Sequence, residues 1–268
     1  MKVNYIETES TRKVVHILRR YTDKPIEVKD LAEFVRHPAL SHMANYLGSA
    51  KEYSNKIEVH LNFTKSEDVR EAVFVHELLH IVLKYEGFPG IALRTDMVRF
   101  LQPSIAQVLE NLRDRFQSTI GHLQVYKREV TDFSLSLDLY FEELVRAKIH
   151  RFGQFSYKPH AKDAEYFFQI QQDILDGLDY YQFPNPYSQK ILAIFRETCP
   201  EGFAACLALH EKTEKISYST PPLAYRCADL VRNQIIKYGY KKNVGTPNQL
   251  WSALNVLRNA KEIPLEKG

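Results

Sequence analysis

The sequence has few cysteines, and their arrangement excludes both a disulfide framework and a structural metal site of closely spaced cysteines. Only three occur in 268 residues, Cys199, Cys206 and Cys227, and they show no short spacing of the metal-binding type. An odd number of scattered cysteines is typical of reduced thiols rather than of a disulfide framework. We therefore expect a cytoplasmic protein that is held together by its core.

Long apolar runs are also missing. The first residues, MKVNYIETESTRK, lack the apolar segment of a secretory signal. The most apolar stretch, Ala72 to Leu83, is about a dozen residues long, whereas a membrane span needs roughly 20. It is also interrupted by His76, Glu77 and His80. We expect neither export nor a membrane partner, and these polar residues in an apolar run require an explanation.

The chain has no strong excess of charge of either sign. Lys and Arg number 36 against 33 Asp and Glu, a formal net charge of +3, and the basic residues are scattered along the chain. This pattern excludes the basic patch of a nucleic-acid-binding protein. With 44% hydrophobic residues, a chain of this length can bury a full core. The composition indicates a globular protein of one large domain, or of a domain with a smaller companion.

Local patterns predict one strand followed by a long helix. Hydrophobic and polar residues alternate from Ile57 to Phe63, as in a half-buried strand. Thr64 and Glu67 have the spacing of a capping box, and Gly87 with Pro89 supplies a stop. A helix is therefore predicted from about Glu67 to Glu86.

The remaining chain has mostly helical periodicity. Short helices are predicted at Thr11–Arg20 and Asp30–Val35, and a long one from Pro103 to Tyr126 or beyond. Proline-containing joints separate the later predicted helices. The later helices are predicted at about 135–149, 163–178, 186–197, 202–210, 223–238 and 247–260.

The predicted helix from Glu67 contains His76-Glu77-Leu78-Leu79-His80, a match to H-E-x-x-H. At 100° per residue, the two histidines lie about 40° apart and one turn along the axis, so both can ligate one zinc ion. Glu77 projects beside them and can reach a metal-bound water as a general base. The surrounding residues are apolar all round the helix, and burying two histidines and a glutamate there is costly unless they are paired or metal-bound.

With these residues the chain resembles the zincin metallopeptidases, over about residues 55 to 125. In that family a strand that binds extended substrate precedes the H-E-x-x-H helix, and the strand from Ile57 to Phe63 matches it. The chain departs from the metzincins, because Leu83 and Glu86 replace the glycine and histidine of their longer motif. The resemblance implies zinc, hydrolysis of peptide bonds, and a peptide or protein substrate.

The third ligand is open between two main candidates. His122 borders the apolar stripe of its predicted helix, and its segment is similar to one that follows H-E-L-L-H in some bacterial proteins assigned as metallopeptidases. Glu110 and Asp114 have the Glu-x-x-x-Asp form of the gluzincins, although they lie nearly opposite that stripe. Glu142, Glu143 and His150 are further candidates for the same role.

Two weaker patterns complete the candidate residues. Gly177 to Tyr181 resembles an aspzincin ligand segment, but is more simply a helix end. Zincins often use a tyrosine or histidine to stabilise an oxyanion. The candidates for that role are Tyr126, Tyr140, His150, Tyr157 and His160.

We therefore expect an α+β, predominantly α-helical fold. It would have a zincin-like core with a small sheet beside the H-E-x-x-H helix in residues 1–155, and a helical subdomain in 156–268. The leading hypothesis is a zinc metallopeptidase with Glu77 as general base and His76, His80 and His122 as ligands. The competing hypothesis is a catalytically silent zincin-fold module that regulates or binds another protein.

Overall fold

The computed structural model describes residues 7–35, 47–94, 103–138, 141–143, 145, 164–216, 218–242 and 254–262. The described residues form a mainly helical α+β fold with two small sheets, which confirms the α+β, predominantly α-helical part of the prediction; the zincin-like core stays a prediction. Among them, no helix is both long enough and apolar enough to cross a membrane.

The larger sheet has three short strands. They are β1 (Ile26–Asp30), β2 (Gly48–Glu52) and β3 (Ile57–Leu61), in the order β1-β3-β2. Strand β3 pairs in parallel with β1 and antiparallel with β2, and all five of its residues are buried. The predicted strand is confirmed, but it ends two residues earlier than expected, at Leu61. The prediction that it is half-buried is wrong, because the two neighbouring strands and the packing around them also bury its polar residues, Glu58 and His60.

Helix α3 (Glu67–Tyr85) packs on β2 and β3 and against α1 (Glu9–Leu18). It is buried nearly all round, as its apolar sequence predicted. The predicted stop is also confirmed, because Gly87 follows the helix with φ of 85°, a left-handed conformation that glycine adopts at little cost. The short helix α2 (Leu31–Val35) follows β1 directly.

The predicted capping box at the start of α3 is wrong. Ser66 is the N-cap, and its side chain accepts a hydrogen bond from the Val69 N–H. Thr64 instead donates its N–H and hydroxyl to Asn62 Oδ1, at 3.0 and 2.6 Å. Thr64 thus belongs to a turn around the Asn62 side chain, which competes locally with a helix cap.

The remaining helices are long and mostly as predicted. Helix α4 (Pro103–Phe133) extends seven residues beyond Tyr126. The later helices are α5 (Ala164–Gln182), α6 (Pro186–Thr198), α7 (Pro200–Thr213) and α8 (Pro221–Lys242).

The helix predicted over 247–260 is wrong in its described part. Residues Leu254–Leu257 form strand β5, which pairs antiparallel with β4 (Gly90–Leu93), and a 3₁₀ turn, Ala260–Glu262, follows. Leu254 and Val256 are buried while Asn255 is exposed, which is the two-residue period of a strand. Pairing with a segment more than 160 residues away overrides the local helical pattern.

The chain divides into two compact units. One is formed by residues within Met1–Glu86 and Val125–Ala147, the other by residues within Gly87–Gln124 and Lys148–Ile263. Helix α4 is continuous and contributes residues to both. The boundary predicted at residue 155 lies outside the described residues and stays a prediction.

Candidate metal centre

Helix α3 places the two histidines of the motif side by side. The Nε2 atoms of His76 and His80 are 3.2 Å apart, and their rings meet edge to face with centroids 4.9 Å apart. Two nitrogens bound tetrahedrally to one zinc at 2.0–2.1 Å would be about 3.3 Å apart. One helical turn therefore gives this pair the separation that a shared metal ion requires.

Helix α4 supplies a third imidazole. One ring nitrogen from each of His76, His80 and His122 can be chosen so that all three lie within 4.8 Å of one another. His76 is 2% exposed and His122 is 6% exposed, whereas His80 is partly exposed. A cluster of three histidines that could hold a metal ion is thus present, with His80 on its more accessible side.

Two buried carboxylates contact the outer nitrogens of these rings. Glu129 Oε1 lies 3.1 Å from His76 Nδ1, and Asp179 Oδ2 lies 2.7 Å from His122 Nδ1. An ionised carboxylate can only accept a hydrogen bond, so each contact favours a ring that donates from Nδ1–H and keeps a lone pair on Nε2. In both rings the nitrogen that is left as a donor to a metal is therefore Nε2.

The buried carboxylates of this cluster would be stabilised by a cation. Burial raises the pKa of Glu129, although the neighbouring His76 opposes the rise. Its second oxygen, Oε2, is buried without a hydrogen-bond partner among the described residues. A metal ion bound through the inner ring nitrogens would require neutral imidazoles, and its charge would balance the buried carboxylates beside them. The donor set therefore fits a metal ion.

Glu77 lies beside the histidines and is held by the neighbouring strand. Its Oε2 accepts a hydrogen bond from the backbone N–H of Ala50 on β2, at 3.0 Å. Burial raises the pKa of Glu77, while His76 and the Ala50 N–H favour its ionised form and Glu129 disfavours it. The glutamate of the motif is thus oriented by a main-chain group.

The strand expected to bind a peptide, Ile57–Phe63, cannot do so through its main chain, because both sides of β3 are already paired. Strand β2 lies at the edge of the sheet as described. The Leu47 carbonyl accepts a hydrogen bond from the Asn62 N–H, and the Tyr53 N–H donates to the Lys56 carbonyl. The main-chain groups of odd-numbered residues of β2 therefore point toward β3. Even-numbered residues, including Gly48 and Ala50, therefore point their N–H and C=O groups to the outer edge.

The remaining ligand candidates lie elsewhere or outside the described residues. Glu110 is exposed on α4, and Asp114 is also mostly exposed and pairs with Arg113 at 2.8 Å. Glu143 forms an ion pair with Lys65, and Glu142 is partly exposed. The structure thus brings His122, and not Glu110, to the two histidines of the motif. His150 lies outside the described residues.

Tyr126 is the one oxyanion candidate in the described part of the chain. It is 1% exposed, and its ring centroid lies 5.4 Å from those of both His76 and Phe141. Its ring therefore supports His76 from one side. Tyr140, His150, Tyr157 and His160 lie outside the described residues, and their predicted role stays a prediction.

Sequence reasoning missed Glu129 and misjudged Asp179. Glu129 lies seven residues after His122, two turns along the same helical face, and this spacing is the signal that could have identified it. Asp179 lies within α5 rather than beyond its end, and it contacts His122 across 57 positions of sequence. No local pattern reports a contact at that separation.

Comparison of the chain with protein-family models, curated proteins and solved structures finds no match in any of the three.

Proposed function

We propose that the protein is a zinc-dependent peptidase in which His76, His80 and His122 hold the metal and Glu77 is the general base. The observation that carries the proposal is the cluster of three imidazoles with the glutamate of the same motif beside it. A histidine cluster alone would support only metal binding. The adjacent acid, held at the edge of a sheet, adds the remaining parts of a hydrolytic site.

Zinc is the metal that suits this donor set best. Three neutral imidazoles, with no thiolate in the cluster among the described residues, would resemble catalytic zinc sites, which keep a fourth position open. Zinc bound there would supply a water of lowered pKa and would polarise a substrate carbonyl. His80, being partly exposed, marks the side from which water and substrate would enter.

Glu77 is suited to accept and return a proton. The Ala50 N–H engages Oε2 at 3.0 Å and fixes the plane of the carboxylate, which leaves Oε1 to take the proton. Burial raises the pKa of Glu77 toward the range in which a base can also act as an acid. The same residue would then protonate the amine that leaves.

Strand β2 provides the surface for an extended peptide. The outer edge of the strand carries the main-chain groups of Gly48 and the carbonyl of Ala50, next to the Ala50 N–H that donates to Glu77. A peptide added to this edge would be bound through its own main chain, as in strand addition to other sheets. Such binding would place a peptide bond near Glu77 without requiring a particular sequence in the substrate.

The test uses a mixture of fluorescence-quenched peptides and the full-length protein. We expect cleavage that a chelator abolishes and Zn²⁺ restores, and that is lost in Glu77→Gln. Gln keeps an oxygen for the Ala50 N–H, so this variant should bind zinc as the wild type does while losing about 10²- to 10⁴-fold in rate. Glu71→Gln is the matched control, because Glu71 lies on the same helix and its carboxylate accepts a hydrogen bond from the Thr8 hydroxyl.

Unimpaired cleavage by Glu77→Gln would refute the role of Glu77. A wild-type protein that binds zinc but cleaves no peptide would favour the binding module instead.

A further inference from the structure

We propose that Glu129 and Asp179 are positioning residues, which set the affinity of the site for its metal by fixing the protons of His76 and His122 on Nδ1. The inference rests on the metal site of the proposed function but not on hydrolysis. Neither carboxylate is a metal ligand in this account. Each acts through the histidine that it contacts.

The two pairs share the same geometry although they come from different parts of the chain. Glu129 on α4 reaches His76 on α3 at 3.1 Å, and Asp179 on α5 reaches His122 on α4 at 2.7 Å. All four side chains are nearly inaccessible, with at most 7% exposure. Both contacts are therefore shielded from competing water, and the acceptor for each Nδ1–H is a carboxylate rather than solvent.

The proton position decides whether a histidine can bind a metal through the inner nitrogen. An imidazole with its hydrogen on Nε2 presents an N–H, and not a lone pair, to the centre of the cluster. A carboxylate at Nδ1 favours the other tautomer, orients the ring and increases the basicity of the ligand nitrogen. The carboxylate at Nδ1 therefore leaves the lone pair of His76 Nε2 available to a metal ion. This atom lies 3.2 Å from His80 Nε2.

The arrangement also links the elements that carry the site. Helix α4 provides one ligand, His122, and two turns later the partner of another, Glu129. Asp179 fixes the His122 ring from α5. Each of these two ligands is thus held at two points, its own backbone and a buried carboxylate, so the rings lose little freedom when a metal binds.

The experiment measures Zn²⁺ affinity by competition with a chromophoric chelator, and the visible spectrum of the Co²⁺-substituted protein. Glu129→Gln and Asp179→Asn keep the side-chain shape and remove the charge. We expect each to bind Zn²⁺ about 10- to 100-fold more weakly than the wild type, with a changed Co²⁺ spectrum.

The control is another buried carboxylate, one that pairs with an arginine. Asp176 lies one turn before Asp179 on α5 and pairs with Arg115 at 2.9 Å. Asp176→Asn should bind Zn²⁺ within about threefold of the wild type. Equal weakening in Asp176→Asn, or wild-type affinity in both Glu129→Gln and Asp179→Asn, would overturn the proposal.

A measurement on the wild type alone avoids any loss of folding in the variants. In zinc-loaded protein with ¹⁵N-labelled histidine, long-range ¹H–¹⁵N spectra report which ring nitrogen carries the proton. We expect Nδ1–H for His76 and His122, and a proton on Nε2 of either ring would refute the assignment. Failure of the wild type to bind zinc would refute the metal site itself, whereas zinc binding without peptide cleavage would count against the peptidase only.

Discussion

Glu52 connects strand β2 to neighbouring elements through hydrogen bonds. Its substitution tests how much these bonds contribute to the stability of the protein. The carboxylate accepts from Lys24 Nζ at 2.7 Å, from Lys84 Nζ at 2.8 Å and from the Tyr85 hydroxyl. Its side chain is only 3% exposed. The donors come from the segment before β1 and from the end of α3, so one side chain ties the edge strand to two other elements.

The cost of Glu52→Gln follows from these contacts. A hydrogen bond to a charged group contributes about 1.5–3 kcal/mol. The substitution removes the negative charge that accepts three such bonds. The two lysines are 18% and 19% exposed, so water recovers part of the loss. We expect a decrease of about 2–3 kcal/mol in the free energy of unfolding at pH 7, measured by urea denaturation.

The effect should also depend on pH. Burial raises the pKa of Glu52, but the hydrogen bonds from Lys24, Lys84 and Tyr85 outweigh it, so the folded-state pKa lies below the ordinary 4.5. A lowered pKa means that the stabilisation is complete above the unfolded-state pKa and is lost as the pH falls through the folded-state pKa. The difference between wild type and Glu52→Gln should therefore be constant from pH 6 to 8 and should shrink below about pH 4.

Glu27→Gln is the matched control, because Glu27 pairs with Lys56 at 3.3 Å on the same sheet while its side chain is 43% exposed. An exposed ion pair should contribute less than about 1 kcal/mol. The reasoning would be refuted if Glu52→Gln cost no more than Glu27→Gln, or if its cost were the same at about pH 3 as at pH 7.

Two glycines allow further predictions about the surroundings of the site. A Cβ at Gly48 would lie 2.4 Å from Val73 Cγ1 and 2.8 Å from the His60 carbonyl oxygen, so Gly48→Ala should destabilise the protein by about 1–3 kcal/mol in urea unfolding. Val73→Ala removes one of these clashes, and a double variant as unstable as the sum of the single ones would contradict the steric explanation. At Gly87 the nearest side-chain atom, Asn259 Nδ2, is 3.7 Å away, so Gly87→Ala should cost about 1–2 kcal/mol through its φ of 85° alone. Gly87→Asn should cost less, because asparagine tolerates the left-handed region, and an equal cost would exclude the backbone explanation.

Local signals were sufficient for the part of the fold that carries the motif. The hydrophobic residues of β3, the apolar sequence of α3 and the glycine after it are all local signals, and the structure confirms the strand, the buried helix and the helix end that they predict. The sequence also indicates His122 as a candidate, because the apolar stripe that it borders is a property of its own helix, and the structure places it with the two histidines of the motif. The local patterns contain no information on which distant segments of the chain contact each other.

The failures share that cause. Strand β2 carries only Ala50 as an apolar side chain, so it has no hydrophobic alternation and was missed. Strand β5 was predicted as a helix because its partner, β4, lies far away in sequence. Glu129 and Asp179 are acidic residues on helices, which ordinarily face solvent. Only the fold brings them to His76 and His122.

The central claim is that His76, His80 and His122 bind one zinc ion, and the metal content of the purified protein tests it most directly. We expect about one zinc per chain by elemental mass spectrometry, after purification without chelators and reloading. The zinc should be lost in His76→Ala and in His122→Ala, and kept in Glu110→Ala. Wild-type protein without zinc, or zinc that is lost in Glu110→Ala and kept in His122→Ala, would contradict the account.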